Sequence, residues 1–265
     1  RNDPHPRRSH RRATGRHRGS NLLEPNRKLT IVKEPIGTLM RHLFRQPRPA
    51  TGPRNPTHPG WMEYTNPLIV GEHTVQLRPL MKSDGEPWSA LRLADADILA
   101  RVEPTIHTSW AEAHSSARWR EFYNNIRRAA DDGVLIPFAI DVDGEFCGQV
   151  TLGSIQRGSA SDCWVGYWVS SHLTGRGIAT AACALGVDHA FDRVGVHRVT
   201  ATYLPENLAS RRVLEKTGFR EEGYLHKNLH IFGQWRDHYL MAITIDDYVD
   251  SCITRLIKTN QARYA

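Results

Sequence analysis

The chain has 265 residues, of which 40% are hydrophobic and 24% charged, and its formal net charge is +7 at pH 7. That length fits one large domain, or one medium domain with an appendage. No apolar run approaches the roughly 20 residues of a membrane span, so the sequence argues against an integral membrane protein. The four cysteines form no C-x-x-C pair, which argues against a disulfide scaffold and a structural zinc site and favours a reducing cytoplasm.

The charge is distributed unevenly. Residues 1–60 hold 14 basic and 3 acidic residues, a net charge of +11, whereas the rest of the chain holds 21 basic and 25 acidic residues, a net charge of −4. Residues 1–20 contain almost nothing apolar, and residues 45–60 are rich in proline, so neither stretch can offset the entropy of ordering. We predict a basic, mostly disordered tail over residues 1–61, with one short helical turn near 36–44, and a folded domain over residues 62–265.

Three interpretations of the tail remain open. Its arginine clusters are suited to neutralising phosphates, as in an arm that binds RNA or the ribosome. An Arg-rich transit peptide is a second possibility, although prolines and glycines interrupt the amphipathic helix that such signals need. The third is a start codon placed too far upstream, because the chain does not begin with Met and Met62 precedes the first patterned segment.

Strand and helix patterns alternate from Glu72 onward. Asp143-Gly144 is a strong turn pair for a hairpin, and residues 177–195 are apolar nearly all round, as in a buried helix. The predicted strands cover residues 72–80, the two arms of a hairpin over 134–155, 163–170, 197–204, about 222–232 and 235–245. The predicted helices cover residues 84–102, 109–130, 177–195 and 207–219. Seven strands in this order predict a mixed sheet flanked by helices.

The stretch YWVSSHLTGRGIAT (167–180) is the most informative. A strand ends, a loop with Gly175 and Gly177 follows, and a buried helix begins. Backbone N–H groups of such a loop, with the positive end of the helix, favour a pyrophosphate or a similar anion, and Arg176 adds charge. A plain strand-to-helix turn is the alternative. Thr180 replaces the third glycine of a dinucleotide fingerprint, and no P-loop lysine follows.

Two further segments accompany this loop. In NLASRRVLEKTGF (207–219), Asn207 has the position of a helix N-cap, and its side chain also suits contact with a ligand lying between this helix and the preceding one. Ser210 lies one turn further on, either as an ordinary first-turn residue or facing the same ligand. The third segment is FGQWRDHYLMAI (232–243), a turn followed by an apolar strand.

Together, the loop HLTGRGIAT, the helix PENLASRRVLEKTGF and the strand GQWRDHYLMAI resemble the Gcn5-related N-acetyltransferase superfamily, and within it the RimJ/RimL branch, which acetylates N-terminal amines of ribosomal proteins. The similarity covers residues 62–250. It implies an α+β fold with a mixed, mostly antiparallel seven-stranded sheet flanked by helices. The superfamily loop usually begins with Gln or Arg, and His172 stands in that place here.

The resemblance implies that acetyl-CoA lies in a V-shaped opening between strands 163–170 and 197–204, with its pyrophosphate on the amides of 173–178. Asn207 would contact the pantetheine arm, and Ser210 would protonate the departing thiolate. The expected cofactor-binding residues are Trp168, Val169, His172, Leu173, Thr174, Gly175, Arg176, Gly177, Ile178, Ala179, Asn207 and Ser210. Candidates for the 3′-phosphate are Arg211, Arg212 and Lys216.

Transfer requires a neutral amine, and an α-amine with a pKa near 8 needs only a weak base, unlike a lysine near 10.4. We take Ser210 and Glu103 as the catalytic candidates. Other possible bases are Asp162, Tyr167 and Tyr203, while the glutamate of some relatives aligns near Leu229. No metal-binding motif is present, and the histidines of the last two strands have positions typical of surface residues.

The resemblance therefore implies an acetyl-CoA-dependent enzyme that acetylates the N-terminal α-amine of a protein, with a ribosomal protein beginning with alanine as the expected acceptor. The tail would add ribosome or RNA contact, in the cytoplasm and away from membranes. One alternative acceptor is a polyamine or an aminoglycoside. Another alternative is a non-catalytic CoA-binding module associated with the ribosome. The oligomeric state stays open.

Overall fold

The computed structural model describes residues 46–54 and 58–265, and the predicted turn near 36–44 and most of the predicted tail lie outside them. Eleven strands are found in the described residues: β1 Arg48–Pro49, β2 Glu63–Tyr64, β3 Leu68–Val70, β4 His73–Pro79, β5 Ile136–Val142, β6 Glu145–Gly153, β7 Asp162–Val169, β8 Arg198–Tyr203, β9 Arg220–Ile231, β10 Gln234–Thr244 and β11 Arg263–Tyr264. The α-helices there are α1 Gly85–Ala94, α2 Ala96–Leu99, α3 Trp110–Ala113, α4 Ser116–Asp131, α5 Ile178–His189, α6 Leu208–Thr217 and α7 Cys252–Lys258.

The main sheet has nine strands in the order β11-β3-β4-β5-β6-β7-β8-β10-β9. Its neighbouring strands are antiparallel except β7 and β8, which run parallel. The predicted mixed, mostly antiparallel sheet is thus confirmed, with two short strands, β3 and the edge strand β11, added to the predicted seven. Three and two residues are too few to show an alternating pattern.

Two predicted helices are interrupted. The helix expected over 84–102 breaks at Asp95. The buried carboxylate of Asp95 accepts a hydrogen bond from the backbone N–H of Ser171 at 2.8 Å, which links the break to the residues just after β7. The helix expected over 109–130 breaks between α3 and α4 at His114 and Ser115. The apolar helix α5 forms as predicted, and it continues through one π-helical turn, Ala190–Val194.

The sheet separates two apolar layers. On one face α5 packs against β4, β6 and β7, and every residue of α5 except Ala179 is buried, which explains its nearly uniform hydrophobicity. The other face carries a smaller cluster under α1 and α4, centred on Trp88, Trp119 and Phe146. None of the helices in the described part of the chain combines the length and the hydrophobicity needed to cross a bilayer.

Residues 46–54 and 58–61 belong to the same compact unit as the rest of the domain. Strand β1 pairs in parallel with β2. The fully buried carboxylate of Glu63 accepts hydrogen bonds from Arg48, at 2.6 Å, and from Arg193, at 2.7 and 2.9 Å. The guanidinium of Arg54 donates to the backbone oxygen of Asp192 at 2.6 Å. The boundary that the sequence predicts at Met62 therefore cuts through this unit.

Candidate active site

The site begins where β7 and β8 separate. These strands pair only over Asp162–Trp164 and Arg198–Thr200. Beyond that point β7 remains paired with β6, and β8 with β10, so the facing edges of the two strands diverge. The opening lies between the two strands that the sequence singled out, and two adjoining cavities extend from it.

The first cavity, here called the loop cavity, has a volume of about 380 Å³. The loop before α5, the first turn of α5 and one face of α6 form its walls. Ten of the twelve predicted cofactor-binding residues line it: Trp168, Val169, Leu173, Thr174, Gly175, Gly177, Ile178, Ala179, Asn207 and Ser210.

The backbone of the loop is arranged for an anion. Gly175 and Gly177 have φ of +77° and +83°, a region that side chains disfavour, and none of the described side chains caps α5. Among the described residues, the backbone N–H groups of 175–180 have no hydrogen-bond acceptor. A row of free donors at the positive end of a buried helix matches a pyrophosphate, so the residues present fit CoA.

The remaining two predicted loop residues do not line the cavity. His172 Nδ1 hydrogen-bonds with the hydroxyl of Ser170 at 2.7 Å, and the Arg176 guanidinium lies 3.3 Å from Nε2 of His73. Their roles as ligands stay predictions. Of the three candidates for the 3′-phosphate, Arg212 and Lys216 line the cavity, whereas Arg211 pairs with Glu215 at 2.7 Å.

Asn207 and Ser210 occupy the start of α6. The side-chain oxygen of Asn207 accepts the backbone N–H of Ser210 at 3.1 Å, so the residue is the predicted N-cap. Its amide nitrogen has no acceptor among the described residues, and Asn207 lines both cavities. The capping role and the ligand-facing role are therefore compatible.

The hydroxyl of Ser210 lies 3.1 Å from the hydroxyl of Tyr167 on β7. Burial, with the neighbouring Cys183, raises the pKa of Tyr167 well above its usual value. The phenol therefore keeps its proton near neutral pH, which suits it to proton donation rather than to the role of a base. The pair lies at the junction of the two cavities, which Leu99, Val102, Trp168 and Asn207 also line.

The second cavity, here called the aromatic cavity, has a volume of about 620 Å³. Its walls come from four helices (α1, α3, α4 and the start of α6), from four strands (β6, β7, β8 and β10) and from the segment that follows α2. Glu103 lines it and forms an ion pair with Arg92. The segment around Glu103 is fixed to β9, since Thr105 donates its N–H to the backbone oxygen of His230 at 2.8 Å and Pro104 bridges to Ile231.

The other residues proposed as general bases are less well placed in the aromatic cavity than Glu103. Asp162 is not among the residues that line either cavity. Tyr203 lines the aromatic cavity, but burial raises its pKa, so the phenol stays neutral. Leu229 is also outside both cavities. Of the carboxylates in the described residues, Glu103 alone lines the aromatic cavity.

Sequence reasoning missed several lining residues. Arg92 was not a candidate, although it is 6% exposed and lies in the cavity wall. The expectation that His238 is a surface residue is wrong: it is 3% exposed and lines the aromatic cavity. Its Nδ1 donates to the backbone oxygen of Arg236 at 3.1 Å, and burial lowers its pKa. The apolar run after Arg236 was the one signal for its burial.

No group of three or more His, Cys, Asp or Glu side chains within residues 46–54 and 58–265 is arranged to hold a metal ion. The four cysteines are buried, and burial raises the pKa of Cys147 to about 11 and those of Cys163 and Cys183 to about 12. A thiolate nucleophile is therefore disfavoured, and the chemistry of the cleft rests on hydroxyl, carboxylate and backbone N–H groups.

Comparisons with known proteins agree with this geometry. The family model for the acetyltransferase (GNAT) domain matches residues 74–220. The structure of Mycobacterium smegmatis RimJ in complex with CoA-disulfide is 44% identical, with a TM-score of 0.77, and the match covers 78% of this chain and all of that one.

Two curated relatives extend the comparison. The probable N-acetyltransferase YjcK of Bacillus subtilis is 32% identical over 174 residues, 66% of this chain and 96% of the relative. The ribosomal protein uS5-alanine N-acetyltransferase of Escherichia coli is 35% identical over 104 residues, 39% of this chain and 54% of the relative.

The divergence of β7 and β8, the free amides before α5 and the matched family model converge on one conclusion. The chain belongs to the GNAT acetyltransferase family and is an acetyl-CoA-dependent N-acetyltransferase of the RimJ type.

Proposed function

We propose that the protein transfers the acetyl group of acetyl-CoA to the N-terminal α-amine of a protein, and that its acceptor is a ribosomal protein beginning with alanine. The observation that carries the proposal is the charge of the aromatic cavity. Its ionised groups are one carboxylate, Glu103, and one guanidinium, Arg92, which pair with each other.

The two histidines of the cavity do not change this balance near neutral pH. Burial, with the nearby Arg92, lowers the pKa of His114 to about 4, and burial lowers that of His238. A polyamine carries several positive charges, and a site built for it needs unpaired carboxylates. A peptide N-terminus brings one amine followed by neutral amides, which suits a cavity of near-zero net charge.

The residues at the junction of the cavities match the needs of the transfer. The amine must lose a proton, and the Glu103 carboxylate is available to accept it. The departing sulfur must gain a proton, and the linked hydroxyls of Ser210 and Tyr167 are available to supply it. Backbone N–H groups at the open edge of β7 near Val169 would polarise the thioester carbonyl, with Trp168 beside them. Catalytic roles for Ser210 and Glu103, and the cofactor contacts of the loop residues, are parts of this proposal.

The name of one relative supports a protein acceptor. The curated enzyme from Escherichia coli acts on the alanine of ribosomal protein uS5. The proposal places the reaction in the cytoplasm, where ribosomes are assembled, and assigns any ribosome or RNA contact to residues 1–45, which lie outside the described part of the chain.

The test is an assay of acetyl transfer by the full chain, in which the release of free CoA thiol is measured. The acceptors are matched peptides beginning with Ala, Ser or Met, the same Ala peptide with a blocked α-amine, spermidine and an aminoglycoside. We expect the highest kcat/KM with the free Ala peptide and no turnover of the peptide whose α-amine is blocked. Turnover confined to spermidine or the aminoglycoside would contradict the proposed acceptor.

A further inference from the structure

Arg92 is held in an unusual cage. Its guanidinium carbon lies 5.4, 5.2 and 5.1 Å from the ring centroids of Trp88, Trp110 and Trp168. The indole N–H of Trp110 donates to the backbone oxygen of Arg92 at 2.7 Å, which fixes the turn from which the side chain extends. Cation–π contacts on three sides orient a guanidinium without using its hydrogen-bond donors.

Most of those donors lack an acceptor. Within the described residues, Nη2 donates to Glu103, whereas Nε is buried with no acceptor. In the described part of the chain, the indole N–H of Trp88, one helical turn earlier on α1, is likewise buried without an acceptor. A buried donor without an acceptor destabilises the folded state. Arg92 lines the aromatic cavity, and within the described residues its Nη1 is accessible and has no acceptor, so this nitrogen can donate to an acceptor oxygen that a ligand brings into the cavity.

We infer that Arg92 is a specificity-determining residue that donates a hydrogen bond to the main-chain carbonyl oxygen of the acceptor's first residue, while the paired Glu103 accepts from the amine of that residue. This inference rests on the proposed function. In an aminoacyl end, two carbon atoms separate the amine nitrogen from the carbonyl oxygen, so both groups reach a carboxylate and a guanidinium that are themselves hydrogen-bonded.

The pairing explains how a cavity of near-zero net charge selects its acceptor. An alkylamine such as spermidine offers an amine to Glu103 but no oxygen to Arg92, so the donors of the cage remain unsatisfied. Rejection of an acceptor that leaves a buried polar group unpaired is more effective than rejection by shape alone.

The experiment compares two acceptors. One is an Ala-starting peptide, and the other is the same peptide with an (E)-alkene in place of its first peptide bond, which keeps the shape but lacks the carbonyl oxygen and the N–H. Because the alkene leaves the amine more basic than the peptide does, kcat/KM is compared per unprotonated amine for both acceptors. A hydrogen bond to a charged group is worth roughly a 10- to 150-fold change. We expect kcat/KM of the wild-type enzyme to fall by that factor with the alkene peptide.

The same pair of acceptors is tested with Arg92→Met, which keeps much of the apolar stem but has no donor. We expect the two peptides to be used with nearly equal kcat/KM by this variant, whatever its absolute rate. Arg120→Met, at an exposed position of α4, is the matched control and should keep the full difference.

The outcomes are distinguishable. Equal use of both peptides by the wild-type enzyme overturns the role of Arg92 and leaves the proposed function intact. A difference that persists in Arg92→Met also overturns it. If the wild-type enzyme acetylates neither peptide, the proposed function fails, and the inference fails with it. Because the wild-type comparison stands alone, misfolding of the variant does not remove the test.

Discussion

Replacement of Glu63 by Ala tests the buried ion pairs that join residues 48–54 to the domain. The Glu63 side chain is 0% exposed, and that of Arg193 is 9% exposed, whereas that of Arg48 is 44% exposed. Loss of the carboxylate leaves the Arg193 charge buried without its partner, and breaking such a pair costs about 3–5 kcal/mol. For a domain of this size, that corresponds to a fall in Tm of roughly 6–20 °C.

Arg48→Met provides the contrast. It removes the exposed partner and leaves the pair of Glu63 with Arg193 intact, so we expect a loss of at most about 1 kcal/mol. Urea denaturation, monitored by tryptophan fluorescence, measures the unfolding free energy of both variants. If Glu63→Ala unfolds within 1 kcal/mol of Arg48→Met, the reasoning about this network is refuted.

The network also has a pH signature. Burial raises the pKa of Glu63, but hydrogen bonds from Arg193 and Arg48 outweigh it, so the pKa is lowered from its usual 4.5. A lowered pKa in the folded state stabilises the protein above the unfolded pKa, and this contribution disappears as the pH falls through the folded pKa. The difference in unfolding free energy between the wild type and Glu63→Gln should therefore shrink from about pH 6 to about pH 3. A difference in unfolding free energy that stays constant over this pH range would contradict the lowered pKa of Glu63.

Three further outcomes are expected. Gly177→Ala places a side chain at φ +83°, with its Cβ 3.1 Å from Val70, and should raise the KM for acetyl-CoA at least about fivefold. The control Gly158→Ala, at φ +75° in open space, should change only the stability, by about 1–2 kcal/mol. Equal KM values for the two variants in steady-state assays would contradict the role of the loop in binding acetyl-CoA. Tyr167→Phe removes the hydroxyl partner of Ser210 and should lower kcat at least about tenfold with little change in that KM; an unchanged kcat would exclude proton donation through the pair. The native protein should resist iodoacetamide at about pH 8, because burial raises the thiol pKa to about 11 for Cys147 and to about 12 for Cys163 and Cys183. After unfolding, all four cysteines should react, and mass spectrometry counts the adducts in both states.

The sequence was sufficient where the relevant interactions are local. Gly175, Gly177 and the helix that follows are adjacent in the chain, so the loop and its free amides could be anticipated from a short stretch. The N-cap at Asn207 is equally local. The buried strands and α5 could be predicted because their periodicity reflects burial directly.

The rest depends on partners distant in sequence. The cage of Arg92 draws Trp88, Trp110 and Trp168 from three elements, and no local pattern marks it. Tyr167 and Ser210 were both candidates, but the contact between their hydroxyls spans 43 positions.

The start of the folded unit was difficult to predict for the same reason. The prolines of residues 45–60 suggest an extended and flexible segment. Its contacts run to Arg193, which lies 141 positions beyond Gly52. The break at Asp95 likewise depends on Ser171, 76 positions away. Tertiary contacts of this range override local preferences.

The most direct test of the central claim is to locate the acetyl group on a peptide that carries both a free N-terminal alanine and an internal lysine. After incubation with acetyl-CoA and the full chain, fragmentation in the mass spectrometer assigns the added mass to one nitrogen. The account predicts that the acetyl group is on the α-amine of the alanine and that the lysine is unmodified. Acetylation of the lysine, with the α-amine free, would contradict the claim that this cleft acts on protein N-termini.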